Sequence, residues 1–204
     1  MKSKYHFKDS SLYIKGTDIP QNRYNITDSK IIHELEKELL KEAYTVFYDE
    51  LNEQTIFDES YFINLHKRTF ESLYDWAGKY RDFDMIKGES RFCQGQYVKS
   101  YSKKIFKELK DENYLKIYKD DKKNFAKRLA YYKCELIALH PFYELNGRII
   151  RMFMDLIASY NGYSFIDYSH YLTKEYIKAS IDCVQFADCS KFEKIIFDGL
   201  KYIS

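Results

Sequence analysis

Chain-breaking residues are scarce in this 204-residue sequence, which holds only seven Gly and two Pro. Turn-dense all-β folds use many of both, so that class is disfavoured and long helices are favoured. Apolar runs are short, and none approaches the roughly 18 residues that a membrane-crossing helix needs. The N-terminal stretch MKSKYHFKDSSLYIKG lacks the apolar segment of a secretory signal. Charge of one sign is missing too: 33 basic residues stand against 31 acidic ones, a net +2. That balance offers no electrostatic basis for direct binding of nucleic acid. The lysine runs YSKKIFKELK and YKDDKKNFAKR mix with acids at helical spacing and read as solvated helix faces. The four cysteines, Cys93, Cys134, Cys183 and Cys189, form no CxxC pair. Zinc knuckles and thioredoxin-like chemistry are therefore unsupported, and free thiols in a reducing, cytoplasmic setting are expected. Neither a repeat nor a low-complexity linker divides the chain, so one domain over 1–204 is expected.

Aromatic residues are abundant at 18%, with 21 Tyr and 15 Phe, enough to fill a sizeable core. Residues 1–26 read as irregular. From Ser29, the positions Ile32, Leu35, Leu39, Ala43 and Phe47 trace one helix face, with Thr27 or Asp28 as cap. A second helix after Asp58 carries Phe62, Leu65, Phe70, Leu73 and Trp76 and is expected to stop at Gly78. The helical period then lapses, and KGES reads as the turn of a β-hairpin with Gly88 at its tip. Further helices are expected from about Gln96 to Leu109, and from Asp120 or Asp121 through Phe125, Leu129, Tyr132 and Leu136 to His140. Another starts near Asn146 and stops at Asn161-Gly162. Two shorter ones close the chain, with Thr173 available as one cap and Ser190–Glu193 as a capping box. The class is all-α with one small hairpin.

LHPFYELNGRIIR, from Leu139 to Arg151, concentrates the chemistry. Pro141 and Asn146-Gly147 interrupt two helices, leaving a loop before a helix N-terminus. The unpaired amides and the dipole there favour an anion, above all phosphate. Arg148 and Arg151, three apart, share a face and could grip a polyphosphate. A carboxylate beside phosphates makes sense with a cation between them, so Glu144 is a candidate Mg²⁺ ligand. His140, kept neutral by nearby positive charge, could accept a proton from an attacking hydroxyl. Each residue alone has a plain structural explanation: a turn His, a solvated Glu, surface arginines. Their conjunction points to phosphoryl or nucleotidyl transfer.

HPFYELNGRIIR closely resembles the signature of Fic-domain proteins, His-x-Phe-x-Asp/Glu-Gly-Asn-Gly-Arg-x-x-Arg. RTFESLYDWAGKYRDFD, KGESRFCQGQYV and SLYIKGTDIPQNRYNITD are similar to that family's approach to the hairpin, the hairpin itself and the entry to the first helix. The likeness covers about residues 10–165, followed by C-terminal helices at about 173–203. It implies a Fic fold, a bundle of about seven to eight helices with a small β-hairpin flap. It also implies transfer of AMP from ATP to a Tyr, Thr or Ser hydroxyl of a target protein. On that resemblance His140 is the base, Phe142 anchors the loop and Glu144 holds Mg²⁺. Asn146 and Gly147 contact phosphate, with Arg148 and Arg151 on the β- and γ-phosphates. The flap centred on Met85, Ile86, Lys87, Gly88 and Glu89 pairs with the target's extended chain.

The signature's first Gly is Leu145 here, which lines the nucleotide site. A left-handed Leu costs on the order of 1–2 kcal/mol. Two alternatives stay open because of it: a nucleotide-binding regulatory protein of impaired activity, and a Doc-like kinase transferring the γ-phosphate. The family's self-inhibitory pattern, Ser/Thr-x-x-x-Glu-Gly/Asn, has no counterpart, since the only Glu-Asn pair, Glu112-Asn113, follows Glu108. The resemblance therefore implies a toxin restrained by a separate small antitoxin docking on the helix at 28–50. A topoisomerase subunit such as gyrase is the expected target.

Overall fold

The computed structural model describes residues 12–203. The first part of the expected irregular N-terminus, residues 1–11, lies outside the described residues. Seven α-helices are found among the described residues: α1 (Ser29–Asp49), α2 (Glu59–Phe70), α3 (Val98–Asp111), α4 (Lys122–Leu139), α5 (Asn146–Tyr160), α6 (Thr173–Phe186) and α7 (Ser190–Gly199). One hairpin, β1 (Ile86–Lys87) and β2 (Ser90–Arg91), precedes α3. This is the expected all-α bundle with a small flap.

Side chains start several helices as the sequence indicates. The Asp28 carboxylate accepts from the amides of Lys30 and Ile31, Asp58 from Tyr61, and Asp121 from Asn124. The centre of the molecule is α5, whose residues Ile149 to Ala158 are buried almost without interruption except Arg151. Phe57, Phe62, Phe106 and Phe153 meet around it with ring centroids 5.1–5.9 Å apart. Full burial of each such ring contributes roughly 2–3 kcal/mol. A helix so enclosed gives its N-terminus, where the anion site was expected, a rigid mount.

Five expectations need correction. Leu172, not Thr173, is the N-cap residue of α6. α2 ends at Phe70 rather than near Gly78, and Leu73 and Trp76 are buried from a run of turns. Helix α3 starts at Val98, after a short 3₁₀ turn at Gly95–Tyr97. No capping box forms between Ser190 and Glu193; instead the Asp188 carboxylate accepts from the Ser190 amide at 2.9 Å. Finally, Cys134 of α4 and Cys183 of α6 form a disulfide, with Cα atoms 5.1 Å apart, while Cys93 and Cys189 are free thiols. The two bonded cysteines lie 49 residues apart in sequence, a separation that carries no pairing signal.

Candidate active site

The loop between α4 and α5 is built by its own side chains. Asn146 folds back on it: its Oδ1 accepts from the Phe142 amide and its Nδ2 donates to the Phe142 carbonyl, both at 2.8 Å. This buried side chain thus closes the loop, so contact with an anion falls to its backbone. Phe142 is fully buried, stacked on His66 at 4.0 Å and packed on Phe62 and Tyr80 at 5.4 Å, as an anchor requires.

His66 was not legible as a site residue. It accepts from the Gly78 amide at Nδ1 (3.0 Å), which leaves Nε2 to donate to the Glu144 carbonyl at 3.1 Å. Burial lowers its pKa to about 4, so the neutral tautomer that makes both bonds persists. Nor was Arg81 singled out. Its guanidinium is buried and donates to the carbonyls of His140 (2.7 Å), Phe83 (2.5 Å), Cys93 (2.6 Å) and Leu139 (3.0 Å). One side chain therefore ties the flap to the end of α4. The only advance sign of it was its place in the segment before the hairpin.

His140 caps α4 in a left-handed conformation, φ 45°. Its ring stacks on Phe92 of the flap at 3.8 Å. Burial, then the positive charges of Arg81 and Lys87, push its pKa down to about 3. The imidazole is neutral at any ordinary pH, with a lone pair free of a proton.

Leu145 occupies the N-cap of α5 with φ 66° and ψ 9°, the conformation glycine would adopt. Its side chain is buried in the core. That burial contributes roughly 2 kcal/mol, comparable with the strain of about 1–2 kcal/mol, so the loop keeps its shape with a Cβ present. Gly147 follows in the first turn of α5, where a Cβ would meet nothing within 4 Å. That open space leaves the helix mouth accessible.

Arg148 donates to Glu36 of α1 at 2.9 Å, and Glu36, itself buried, also accepts from Tyr74 at 2.6 Å. Arg151 instead lies over the rings of Tyr168 and Tyr176, at 4.9 and 4.6 Å. Glu112 pairs with Arg128, away from both. Glu144 Oε1 accepts from the Tyr13 hydroxyl at 2.6 Å. A single loop carboxylate fits Mg²⁺, which takes most of its ligands from phosphate and water. No cluster of three or more His, Cys, Asp or Glu exists among the described residues to hold a metal by protein alone.

These residues border two cavities. One, of about 590 Å³, runs from Glu144–Arg148 and Arg151 along Ile32, Glu36 and Tyr44 of α1. The other, of about 360 Å³, is walled by Phe92, His140 and Ile150 and by Ile177, Ile181 and Val184 of α6. Lys87, Gly147 and Tyr176 border both. The flap turns at Gly88, φ 59°, with Ile86 opposite Arg91 and Lys87 opposite Ser90. Of the expected flap residues, Met85 is buried, while Lys87, Gly88 and Glu89 are exposed.

Residues 56–158 match the Fic/DOC family. The chain belongs to that family. It is 29% identical over 182 residues to the "Probable protein adenylyltransferase y4lH" of Sinorhizobium fredii, covering 87% of this chain and 90% of that one. It is 30% identical over 157 residues to the "Probable protein adenylyltransferase Fic" of Escherichia coli, covering 76% and 75%. Among solved structures, the fold is similar to the Bartonella tribocorum effector BepC, determined with bound AMPPNP. The TM-score is 0.82 and the identity 26%, over 95% of this chain and 97% of that one. The Fic fold expected from the sequence is thus the fold observed.

Proposed function

We propose that this Fic protein is a protein adenylyltransferase, transferring AMP from ATP to a Tyr, Thr or Ser hydroxyl of a target protein. The observation that carries the reading is the juxtaposition at residues 140–151: a neutral buried imidazole beside an open helix N-terminus flanked by two arginines. The adenylyltransferase names of the relatives support it. ATP's phosphates belong in the polar cavity, at the Asn146 and Gly147 amides with Arg148 and Arg151 on the β- and γ-groups. The apolar cavity suits the base.

In the reaction, the target hydroxyl oxygen attacks the α-phosphorus, its proton passes to the His140 imidazole, and pyrophosphate leaves. Glu144 would hold Mg²⁺, which supplies neutralisation of phosphate charge when bound. The edge of the flap offers backbone groups to an extended segment of the target, with Lys87, Gly88 and Glu89 at the point of contact.

The whole chain, 1–204, acts as one domain in the cytoplasm. No helix among the described residues is long and apolar enough to cross a membrane. With Glu112 engaged elsewhere, restraint falls to a separate small antitoxin protein on α1, and gyrase is the first target to test. Incubation of the protein with bacterial lysate and ATP labelled either in adenine or in the γ-phosphate tests the activity. Adenine label on a protein, lost in His140→Ala, is the expected result. Transfer of the γ-label alone would identify a kinase, and nucleotide binding without either transfer a regulatory protein.

A further inference from the structure

Arg148 and Arg151 are held in opposite electrostatic settings. Arg148 is neutralised by the buried carboxylate of Glu36. Arg151 makes no salt bridge with any described residue, and no described group accepts from its buried Nε. The acid nearest to it in sequence, Asp155, already accepts from the Tyr44 hydroxyl at 2.7 Å and the Ile166 amide at 3.2 Å.

A second cation lies close by. Lys133 of α4 is fully buried, with its ammonium 5.1–5.2 Å from the ring centres of Tyr168, Tyr176 and Phe192 and 3.4 Å from the Tyr168 hydroxyl. Tyr176 is the residue these two cations share. Its ring lies 4.6 Å from the Arg151 guanidinium and 5.2 Å from the Lys133 ammonium. Burial raises its pKa, but the charges of Lys133 and Arg151, and hydrogen bonding of the phenol to each, lower it overall. Tyr176 also borders both cavities.

We infer that Tyr176, supported by Lys133, is the positioning residue that aims Arg151 at the terminal phosphate of the nucleotide. An arginine over a ring face loses much of its rotational freedom, so less is lost when it binds phosphate. Asp155 acts on both cations through space but forms no ion pair with either, so Lys133 and Tyr176 leave Arg151 without a salt-bridged partner among the described residues until an anion arrives. Tyr176 comes from α6, which lies beyond the segment matched to the family, whereas Lys133 of α4 lies inside it.

This inference rests on the assignment of Arg151 to the γ-phosphate, so the test separates the two. ATP and ADP affinities are measured by calorimetry, in Mg²⁺, for the wild type, Arg151→Ala, Tyr176→Phe and Lys133→Met, with melting temperatures alongside. Tyr176→Phe keeps the ring and removes only the oxygen. It should weaken ATP binding by about ten- to a hundredfold, as expected for one hydrogen bond to a charged group, and leave ADP affinity and melting unchanged. Lys133→Met should shift the ATP-to-ADP ratio the same way; should it fail to fold, Tyr176→Phe decides alone. If Arg151→Ala abolishes a preference for ATP that Tyr176→Phe retains, Tyr176 does not position Arg151 and the inference falls while the assignment of Arg151 stands. If the wild type binds both nucleotides equally and Arg151→Ala changes neither, the assignment itself fails and the inference with it.

Discussion

Leu145 poses the sharpest question at the scale of single residues, because the family signature has glycine there. Its left-handed backbone and buried side chain show the loop paying strain and recovering it in packing. Replacement by glycine should therefore leave turnover within about threefold and change stability by about 1 kcal/mol or less. Turnover assays and thermal melts check this, and a rise in turnover of tenfold or more would show that Leu145 restrains the enzyme. The two buried imidazoles give a second prediction. Unfolded histidine takes a proton near 6.5, whereas folded His66 and His140 resist until about 4 and about 3. Their contribution is fully present above pH 6.5 and is lost as pH falls from there towards those values. His66 alone should account for roughly 3 kcal/mol by pH 4. Chemical denaturation between pH 4 and 8 should show that slope, and His66→Phe should flatten it. In the same range, NMR should show no titration of His140 in the free protein. His140, Glu144, Gly147, Arg148 and Arg151 were legible because a signature names them. His66 and Arg81 were not, since their roles are bonds to backbone carbonyls that only the folded chain brings near.

Between elements, Arg81 joins the flap to the last turn of α4 through four carbonyls. Lysine retains the charge but not the planar fork. Arg81→Lys should thus leave buried carbonyls unpaired, lower stability by roughly 2–4 kcal/mol, and reduce target modification more than nucleotide binding. Denaturation and label-transfer assays would show the split; equal losses in both would point to general unfolding instead. Helix existence was readable from apolar spacing, and residue type narrowed the caps to Thr27 or Asp28 and to Asp120 or Asp121, of which Asp28 and Asp121 serve. The end of α2 was not, because Leu73 and Trp76 are buried at near-helical spacing from a turn series. Apolar periodicity reports burial, not backbone continuity. The start of α7 failed for a related reason: Asp188 accepts from the Ser190 amide, displacing the expected Ser190–Glu193 exchange.

For the molecule as a whole, the α5 helix is the organising member: its flanks fill the core while its N-terminus opens between two cavities. α6 and the flap face each other across the apolar one, and the Cys134–Cys183 bond ties α6 to the helix that carries His140. Proximity of that kind is invisible in a single sequence, as is the way Glu36 of α1 reaches Arg148 across 112 positions. The central claim is that residues 140–151 grip a triphosphate while His140 takes the acceptor's proton. Its most direct test is a peptide mass-spectrometric comparison of cells expressing the wild type and His140→Ala. The account predicts a Tyr, Thr or Ser carrying one added AMP in the first and none in the second. The same adduct at equal occupancy in both, or no adduct in either, would contradict it.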